Sequence, residues 1–248
     1  MRRRMLLAAG GAWALPGQAA GGPGDAGAGG VDLALVLAVD VSRSIDDEEA
    51  QLQREGYQNA MRDRRVVAAI SGGMLGAIAV AYVEWAGVGY QRTVLPWTRI
   101  AGEADAAAWS ATLAATSQES LSWTSISGAL RYSRQVLERC PFEATRRVID
   151  VSGDGVNNSG PPPEGIRDQL VSEGVTINGL PIVNDRPNFG VTGGAGVEAF
   201  YRESVIGGPG AFLIVAEDFN AFGDAVRRKM VQEIAGLAAF QPGAPQPG

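Results

Sequence analysis

The sequence predicts an α/β domain built on a doubly wound, mostly parallel central sheet, with one antiparallel edge strand and helices on both faces. Three observations predict it. Strand-like apolar runs alternate with helical patterns along the chain, which is typical of β-α-β units. The run over 32–40 is almost wholly apolar and ends in a carboxylate, as expected of a central strand covered on both faces. Two β-rich runs, 77–85 and 92–97, are joined by a short glycine-containing connection that predicts a hairpin.

The other elements follow in a regular order. A long polar helical pattern covers 46–70, and acidic residues crowd its first turn, where they complement the helix dipole. After the hairpin, apolar periodicity predicts helices and strands in alternation. These are helices over 104–115 and 125–137, a strand over 147–152, a helix over 163–172, a strand over 175–182, a helix over 197–205, a strand over 211–216 and a helix over 219–234.

The first twenty residues have the pattern of an export signal. Residues 2–4 are all arginine, 5–16 form an apolar stretch, and 18–20 end in small residues suited to cleavage. The apolar stretch is shorter than the roughly 20 residues that a membrane span needs, so no transmembrane span is predicted, although a retained N-terminal anchor is the alternative. The start also loosely resembles a twin-arginine signal. We expect a signal peptide over 1–20.

The composition of the two flanks defines the domain between them. A glycine-rich linker over 21–30 and a Pro/Gly tail over 241–248 cannot bury a core, and this leaves one domain over 31–240. Loss of the three N-terminal arginines shifts the formal net charge from −6 to −9. An acidic protein of this kind is a poor candidate for binding nucleic acid or anionic lipid.

The composition also excludes several kinds of site. The chain has no histidine and a single cysteine, Cys140, so it cannot supply the ligands of a structural zinc site, a histidine general base or an internal disulfide. Its one lysine, Lys229, belongs to no phosphate-binding loop motif. Site chemistry must therefore come from carboxylates, hydroxyls, amides and arginines.

Polar residues of this kind follow the predicted strands in three places. Asp40, Ser42 and Ser44 follow the first strand at alternate positions, Thr124 precedes a helix, and Asp154 follows the strand over 147–152. In doubly wound sheets, ligands bind beyond the carboxyl ends of the strands. Two carboxylates and three hydroxyls are hard oxygen ligands that suit Mg²⁺ or Mn²⁺. With so few carboxylates, the ion would keep an open or water-filled position, which an Asp or Glu of a partner could take.

These residues resemble a known family. The pattern Asp-x-Ser-x-Ser, followed by a threonine and an aspartate on two later loops, is similar to the metal-ion-dependent adhesion site (MIDAS) of von Willebrand factor A (VWA) domains. The resemblance implies the Rossmann-like VWA fold, direct ligation by the two serines and the threonine, and aspartates that often act through water. The five residues carried over are Asp40, Ser42, Ser44, Thr124 and Asp154.

A narrower resemblance is to a bacterial family of exported A-like domains of unknown function. It rests on segments spread over most of the predicted domain, which are 35–42, 82–85, 147–155, 175–181 and 205–212. The resemblance implies a bacterial source and, with the export signal, a periplasmic or secreted protein.

Two further residues belong to the predicted site. Arg43 stands where a small residue is commoner, so its guanidinium could crowd or screen the ion, or contact a partner. Trp123 adjoins Thr124 and is the best candidate for an exposed aromatic side chain that contacts a partner. Helix capping is the competing explanation for Ser44, because a strand-to-helix turn favours serine on its own.

The sequence predicts a non-enzymatic module that binds a divalent cation and, through it, an unidentified protein. One alternative is a magnesium-dependent phosphatase that uses Asp40, since 153–158 resembles a motif of haloacid-dehalogenase phosphatases. In this chain Ser42 and Asn158 replace the second aspartate of each phosphatase motif, so the proton donor is missing. A second alternative is a metal-free structural scaffold in which Arg43 supplies the positive charge.

Overall fold

A central β-sheet with helices packed on both faces organises the fold. The computed structural model describes residues 29–42, 45, 47–117, 121–183 and 194–236. Within these residues the sheet has five strands in the order β3-β2-β1-β4-β5. The strands are β1 (Val31–Asp40), β2 (Ile78–Trp85), β3 (Gln91–Ile100), β4 (Ala144–Gly153) and β5 (Val175–Pro181). All neighbours pair in parallel except β2 and β3, which are antiparallel. The predicted fold class and its antiparallel edge strand are confirmed.

Helices connect the strands along most of the chain, as predicted. They are α1 (Asp47–Arg62), α2 (Arg64–Ser71), α3 (Glu103–Ala114), α4 (Ile126–Glu138), α5 (Glu164–Ser172), α6 (Gly194–Phe200) and α7 (Phe222–Ala235). The prediction of one continuous helix over 46–70 is wrong. Asp63 leaves the helical conformation (ψ 133°) and its carboxylate accepts a hydrogen bond from the Arg65 amide, so a new helix begins there.

The region after α6 also differs from the prediction. The helix predicted over 197–205 changes after Phe200 into a π-helical turn, Tyr201–Val205. The strand predicted over 211–216 is not a regular strand. This segment pairs with the outer edge of β5 and the residue after it through two isolated parallel bridges, one between Gly179 and Leu213 and one between Ile182 and Ala216. These bridges still satisfy backbone groups on an edge that would otherwise be open.

The two faces of the sheet bury different side chains of β1. Its side chains alternate between the faces, as the pleat of a strand requires. One set packs with helices α1, α2, α3 and α7 and consists of Leu33, Leu35, Leu37 and Val39. The other set packs with α4, α5, α6 and the π-helical turn and consists of Ala34, Val36 and Ala38. Burial on both faces explains why the run is continuously apolar.

The strand order places the candidate site. The chain goes from β1 to β2 on one side and later returns to β4 on the other, so the order reverses between β1 and β4. Asp40 ends β1, and Asp154 directly follows β4. Neighbouring parallel strands end at the same edge of the sheet, and ligands of doubly wound sheets bind at this reversal.

Some predicted features lie outside the described residues. They are the signal peptide over 1–20, all but the last two residues of the linker over 21–30, the tail over 241–248, Arg43, Ser44 and residue 46. No helix in the described part of the chain has both the length and the apolar character needed to cross a membrane.

The contact between α1 and α7 gives a test of the packing. A Cβ at Gly56 of α1 would lie 2.8 Å from the buried ring of Phe222 and 3.3 Å from the Cα of Gly223. We expect Gly56→Ala to lower the free energy of unfolding by about 1–3 kcal/mol, because the two helices must separate. Gly165→Ala on α5 is the matched control, since a Cβ there would meet no atom within 4 Å.

Gly165→Ala should leave the stability unchanged or raise it by up to about 1 kcal/mol, through the lower helix propensity of glycine. Urea denaturation of the two variants and the wild type measures both effects. Equal changes in the two variants would contradict the close approach of α1 and α7.

Candidate functional site

The first loop of the site leaves the end of β1. Asp40 is fully buried, and its Oδ1 accepts a hydrogen bond of 2.8 Å from the backbone amide of Ser42. The next residue, Val41, donates its amide to the carbonyl of Trp85 at the end of β2, over 2.9 Å. Asp and Ser favour this kind of local side-chain-to-backbone turn. The turn fixes Asp40 and Ser42 side by side.

The second loop carries Thr124. Two contacts to Asn158 fix its backbone, because the Thr124 amide donates to Asn158 Oδ1 (2.8 Å) and the Asn158 amide donates to the Thr124 carbonyl (2.9 Å). Ser125 then caps α4 by accepting a hydrogen bond from the Gly128 amide. The Thr124 hydroxyl points inward and lies 3.4 Å from the Ser42 hydroxyl. Two loops that are 82 residues apart therefore present neighbouring hydroxyls.

The third loop completes the group. Asp154 follows β4 and is fully buried. Gly155 lies against the second loop, since a Cβ there would be 3.6 Å from the Thr124 hydroxyl. The negative charge of Asp154 acts on Asp40. The structure thus brings Asp40, Ser42, Thr124 and Asp154 together, on three loops at one edge of the sheet.

The electrostatics of Asp40 are unfavourable in the protein alone. Burial raises the pKa of Asp40 well above its usual value, and the nearby charge of Asp154 raises it further, while hydrogen bonds from Ser42 lower it. The second carboxylate oxygen, Oδ2, is buried and has no hydrogen-bond partner among the described residues. A buried acceptor without a partner costs free energy.

The residues fit a hard divalent cation. Two carboxylates stand beside two hydroxyls, which together form an oxygen-only donor set of the kind that Mg²⁺ and Mn²⁺ use. A cation among them would offset the repulsion between Asp40 and Asp154. No group of three or more Asp, Glu or Cys side chains that could hold a metal occurs in the described part of the chain.

Trp123 lies at the rim of this group. It is 65% exposed, and its backbone adopts a left-handed conformation (φ 76°) that is unfavourable for a residue with a Cβ. Next to it, a Cβ on Gly87 would lie 3.0 Å from the Trp123 Cβ, and Val88 is also exposed. An exposed tryptophan in a strained backbone is a feature found at functional sites more often than elsewhere.

The structure adds residues that the sequence analysis did not identify. The sequence indicated Asn158 only as a departure from a phosphatase motif, whereas in the structure its side chain positions Thr124. Tyr201 is fully buried, and burial raises the pKa of its hydroxyl well above the usual value, as do the charges of Asp40, Asp154 and Asp150. Its place within an ordinary helical pattern gave no signal, because only the tertiary structure brings it beneath the site.

The fold defines the class of the domain. The order of the strands and the helices on both faces are those of the von Willebrand factor A fold. Within this class, the chain belongs to the family described as "Protein of unknown function (DUF1194)", whose model matches residues 30–238. No curated protein matches the sequence.

Solved structures show the same fold at low sequence identity. A von Willebrand factor type A protein from Catenulispora acidiphila superposes with a TM-score of 0.57 at 13% identity, over 82% of this chain and 43% of that one. Proximal thread matrix protein 1 from the mussel byssus, with a zinc-occupied MIDAS motif, has a TM-score of 0.56 at 18% identity, over 81% of this chain and 46% of that one. The chain thus spans less than half of either protein.

BatB, a conserved hypothetical protein from Bacteroides thetaiotaomicron, matches over nearly its whole length. Its TM-score is 0.55 at 17% identity, over 82% of this chain and 98% of that one. At these identities, all three structures establish the likeness of the fold and nothing further.

The raised pKa of Asp40 predicts how stability depends on pH when no metal is present. A carboxyl group whose pKa is raised on folding contributes stability that is fully present below the unfolded pKa of about 4 and is lost as the pH rises through the folded pKa. In EDTA, we therefore expect Asp40→Asn to gain stability relative to the wild type as the pH rises from about 4. Urea denaturation at a series of pH values measures the difference, and a difference that does not change with pH would contradict the burial of a charged Asp40.

Proposed function

We propose that the chain is a non-enzymatic, cation-dependent protein-binding module of the bacterial envelope. The observation that carries the proposal is the meeting of two buried carboxylates and two hydroxyls from three separate loops. Both carboxylates are fully buried. A divalent cation is the simplest partner for the four side chains together, because it supplies positive charge and binds carboxylate and hydroxyl oxygens alike.

The proposed ligands are the five residues of the MIDAS-like pattern, Asp40, Ser42, Ser44, Thr124 and Asp154. The all-oxygen set favours Mg²⁺ or Mn²⁺. The solved structure of the mussel byssus protein, with zinc in its MIDAS motif, supports a divalent cation at this place in the fold. When bound, the cation supplies an electrophilic centre that an oxygen of another molecule can reach. The chain's own residues bury the two carboxylates and hold the hydroxyls in place.

The proposed partner is a protein that presents an Asp or Glu side chain to the cation. The surface beside the cation site is apolar, since Trp123 and Val88 are both exposed there. A Cβ at Gly160 would touch the Val88 side chain at 2.8 Å, so this loop continues the same surface. A carboxylate with an apolar neighbour in the partner's sequence would match both features. Arg43 is proposed to lie at the same rim and to contact the partner.

The predicted export signal over 1–20 supports a periplasmic or secreted location. Such a place suits a module that binds other proteins of the envelope. The formal net charge of the full chain is −6, which makes nucleic acid an unfavourable partner.

A phosphatase is the less favoured alternative. A nucleophilic carboxylate has to reach a phosphorus atom, but the Asp40 side chain is fully buried and its Oδ1 is held by the Ser42 amide. The second acid that would donate a proton is replaced by Ser42. Hydrolysis of p-nitrophenyl phosphate that is abolished in Asp40→Asn would overturn this ranking.

A thermal-shift titration with MgCl₂ and MnCl₂ tests the proposed site. At a concentration one hundred times the dissociation constant, a ligand of the native state should raise the unfolding free energy by about 2.7 kcal/mol. We expect a saturable rise in the wild type that EDTA reverses. The rise should be lost in Asp40→Asn and strongly reduced in Thr124→Val, which removes only the hydroxyl.

Two controls separate the site from general effects. Asp32→Asn changes the same residue type on the same strand, at the opposite end, where Asp32 accepts a hydrogen bond from the Leu75 amide. It should retain the full shift. Trp123→Ala should also retain it, because Trp123 is proposed to contact the partner and not the ion. The absence of a shift in the wild type at millimolar metal would favour the metal-free scaffold.

A further inference from the structure

Two buried oxygens meet beneath the proposed cation site. The Tyr201 hydroxyl and Asp40 Oδ2 are both buried, and neither has a hydrogen-bond partner among the described residues. Both atoms lie 2.8 Å from the point that a Cβ on Gly153 would occupy. Their separation is therefore at most 5.6 Å, a span that one bridging water can close, or a direct hydrogen bond once the Asp40 side chain rotates toward Tyr201.

Two glycines on neighbouring strands make room for Tyr201. On β5, a Cβ at Gly179 would lie 2.9 Å from the Tyr201 ring. On β4, Gly153 leaves the space in which the hydroxyl approaches Asp40. Gly179 pairs with Val151, two residues before Gly153, so both glycines belong to the same face of the sheet. Any larger residue at either position would move the ring or its hydroxyl.

The backbone around Tyr201 is unusual as well. Tyr201 is the first residue of the π-helical turn, and its ring meets that of Phe200 edge-on at 6.5 Å. π-Helical turns are rare, and they occur frequently at functional sites. Here the turn follows α6 and directs the Tyr201 hydroxyl toward the end of β1.

We propose that Tyr201 is a positioning residue of the cation site, whose hydroxyl donates a hydrogen bond to Asp40 Oδ2, directly or through one water. The cation part of this inference rests on the proposed function. Asp40 Oδ1 is already held by the Ser42 amide, so a donor on Oδ2 fixes the plane of the carboxylate. A tyrosine hydroxyl, with an ordinary pKa of about 10, remains a neutral donor at pH 7. Partners of this kind orient metal ligands without touching the metal.

Isothermal titration calorimetry with MgCl₂ tests the positioning role. Tyr201→Phe keeps the ring and removes only the hydroxyl, and loss of such an outer contact typically weakens metal binding about 10–100-fold. We expect the dissociation constant for Mg²⁺ to rise at least about ten-fold. The matched control is Tyr57→Phe, since Tyr57 is equally buried on the opposite face and bonds to the Ser152 hydroxyl at 3.0 Å. Its dissociation constant should match that of the wild type. Equal affinities of wild type and Tyr201→Phe would overturn the proposal.

A second measurement needs no metal and separates this proposal from the proposed function. In EDTA, Tyr201→Phe should lower the thermal midpoint of the wild type, because the hydrogen bond to Asp40 is lost. In an Asp40→Ala background the same substitution should have no such effect. Equal shifts in both backgrounds would show that the hydroxyl does not pair with Asp40. If the wild type fails to bind Mg²⁺, the proposed function fails, while this double-mutant cycle still decides the pairing.

Discussion

Asp40 and Asp154 place two carboxylates in the protein interior, at the ends of the two strands between which the strand order reverses. Two other buried acids have a counter-charge within the protein. Asp150 on β4 and Glu233 on α7 each lie 2.5 Å from the ammonium group of the buried Lys229. Within the described residues, Asp40 forms no ion pair with a side chain of the protein. Burial of a charge is costly unless it is compensated. Asp40 at the rim of the sheet lacks a counter-charge of the kind that Lys229 gives to Asp150, and the proposed cation would supply one.

The surrounding structure holds this arrangement rigid. Backbone hydrogen bonds join the loops directly, from Leu121 to the Val41 carbonyl at 3.1 Å and from Ser125 to the Ala86 carbonyl at 2.8 Å. A group of ion pairs around the buried Glu84 supports the segment over residues 113–117. In this group Glu84 on β2 pairs with Arg54 of α1 and Arg92 of β3, and the two arginines also donate to backbone carbonyls over residues 113–117. Preorganised ligands lose little entropy when an ion binds. The packing of the domain thus holds the proposed ligands in place before an ion binds.

Much of this could be predicted from the sequence, and the exceptions have physical reasons. The uniformly apolar run that ends at Asp40 predicts a central strand, because only burial on both faces removes the alternation of polar and apolar residues. The break at Asp63 was missed because the helical periodicity continues through it, although an aspartate at that place can cap a new helix. The approach of Tyr201 to Asp40 could not be predicted, since the two residues are joined only by the tertiary fold. Gly153 can be read from the sequence, but the reason for a glycine there cannot. A Cβ at this position would meet the Tyr201 hydroxyl, which only the tertiary fold brings close.

A crystal structure of the domain grown with Mn²⁺ and measured with anomalous diffraction tests the cation site most sharply. We expect one anomalous peak at the edge of the sheet, within bonding distance of the Ser42 and Thr124 hydroxyls and beside the carboxylates of Asp40 and Asp154. The same structure would show what Asp40 Oδ2 contacts. No peak at this place in millimolar Mn²⁺, or a peak elsewhere on the domain with these side chains unchanged, would contradict the central claim that the loops form a cation site.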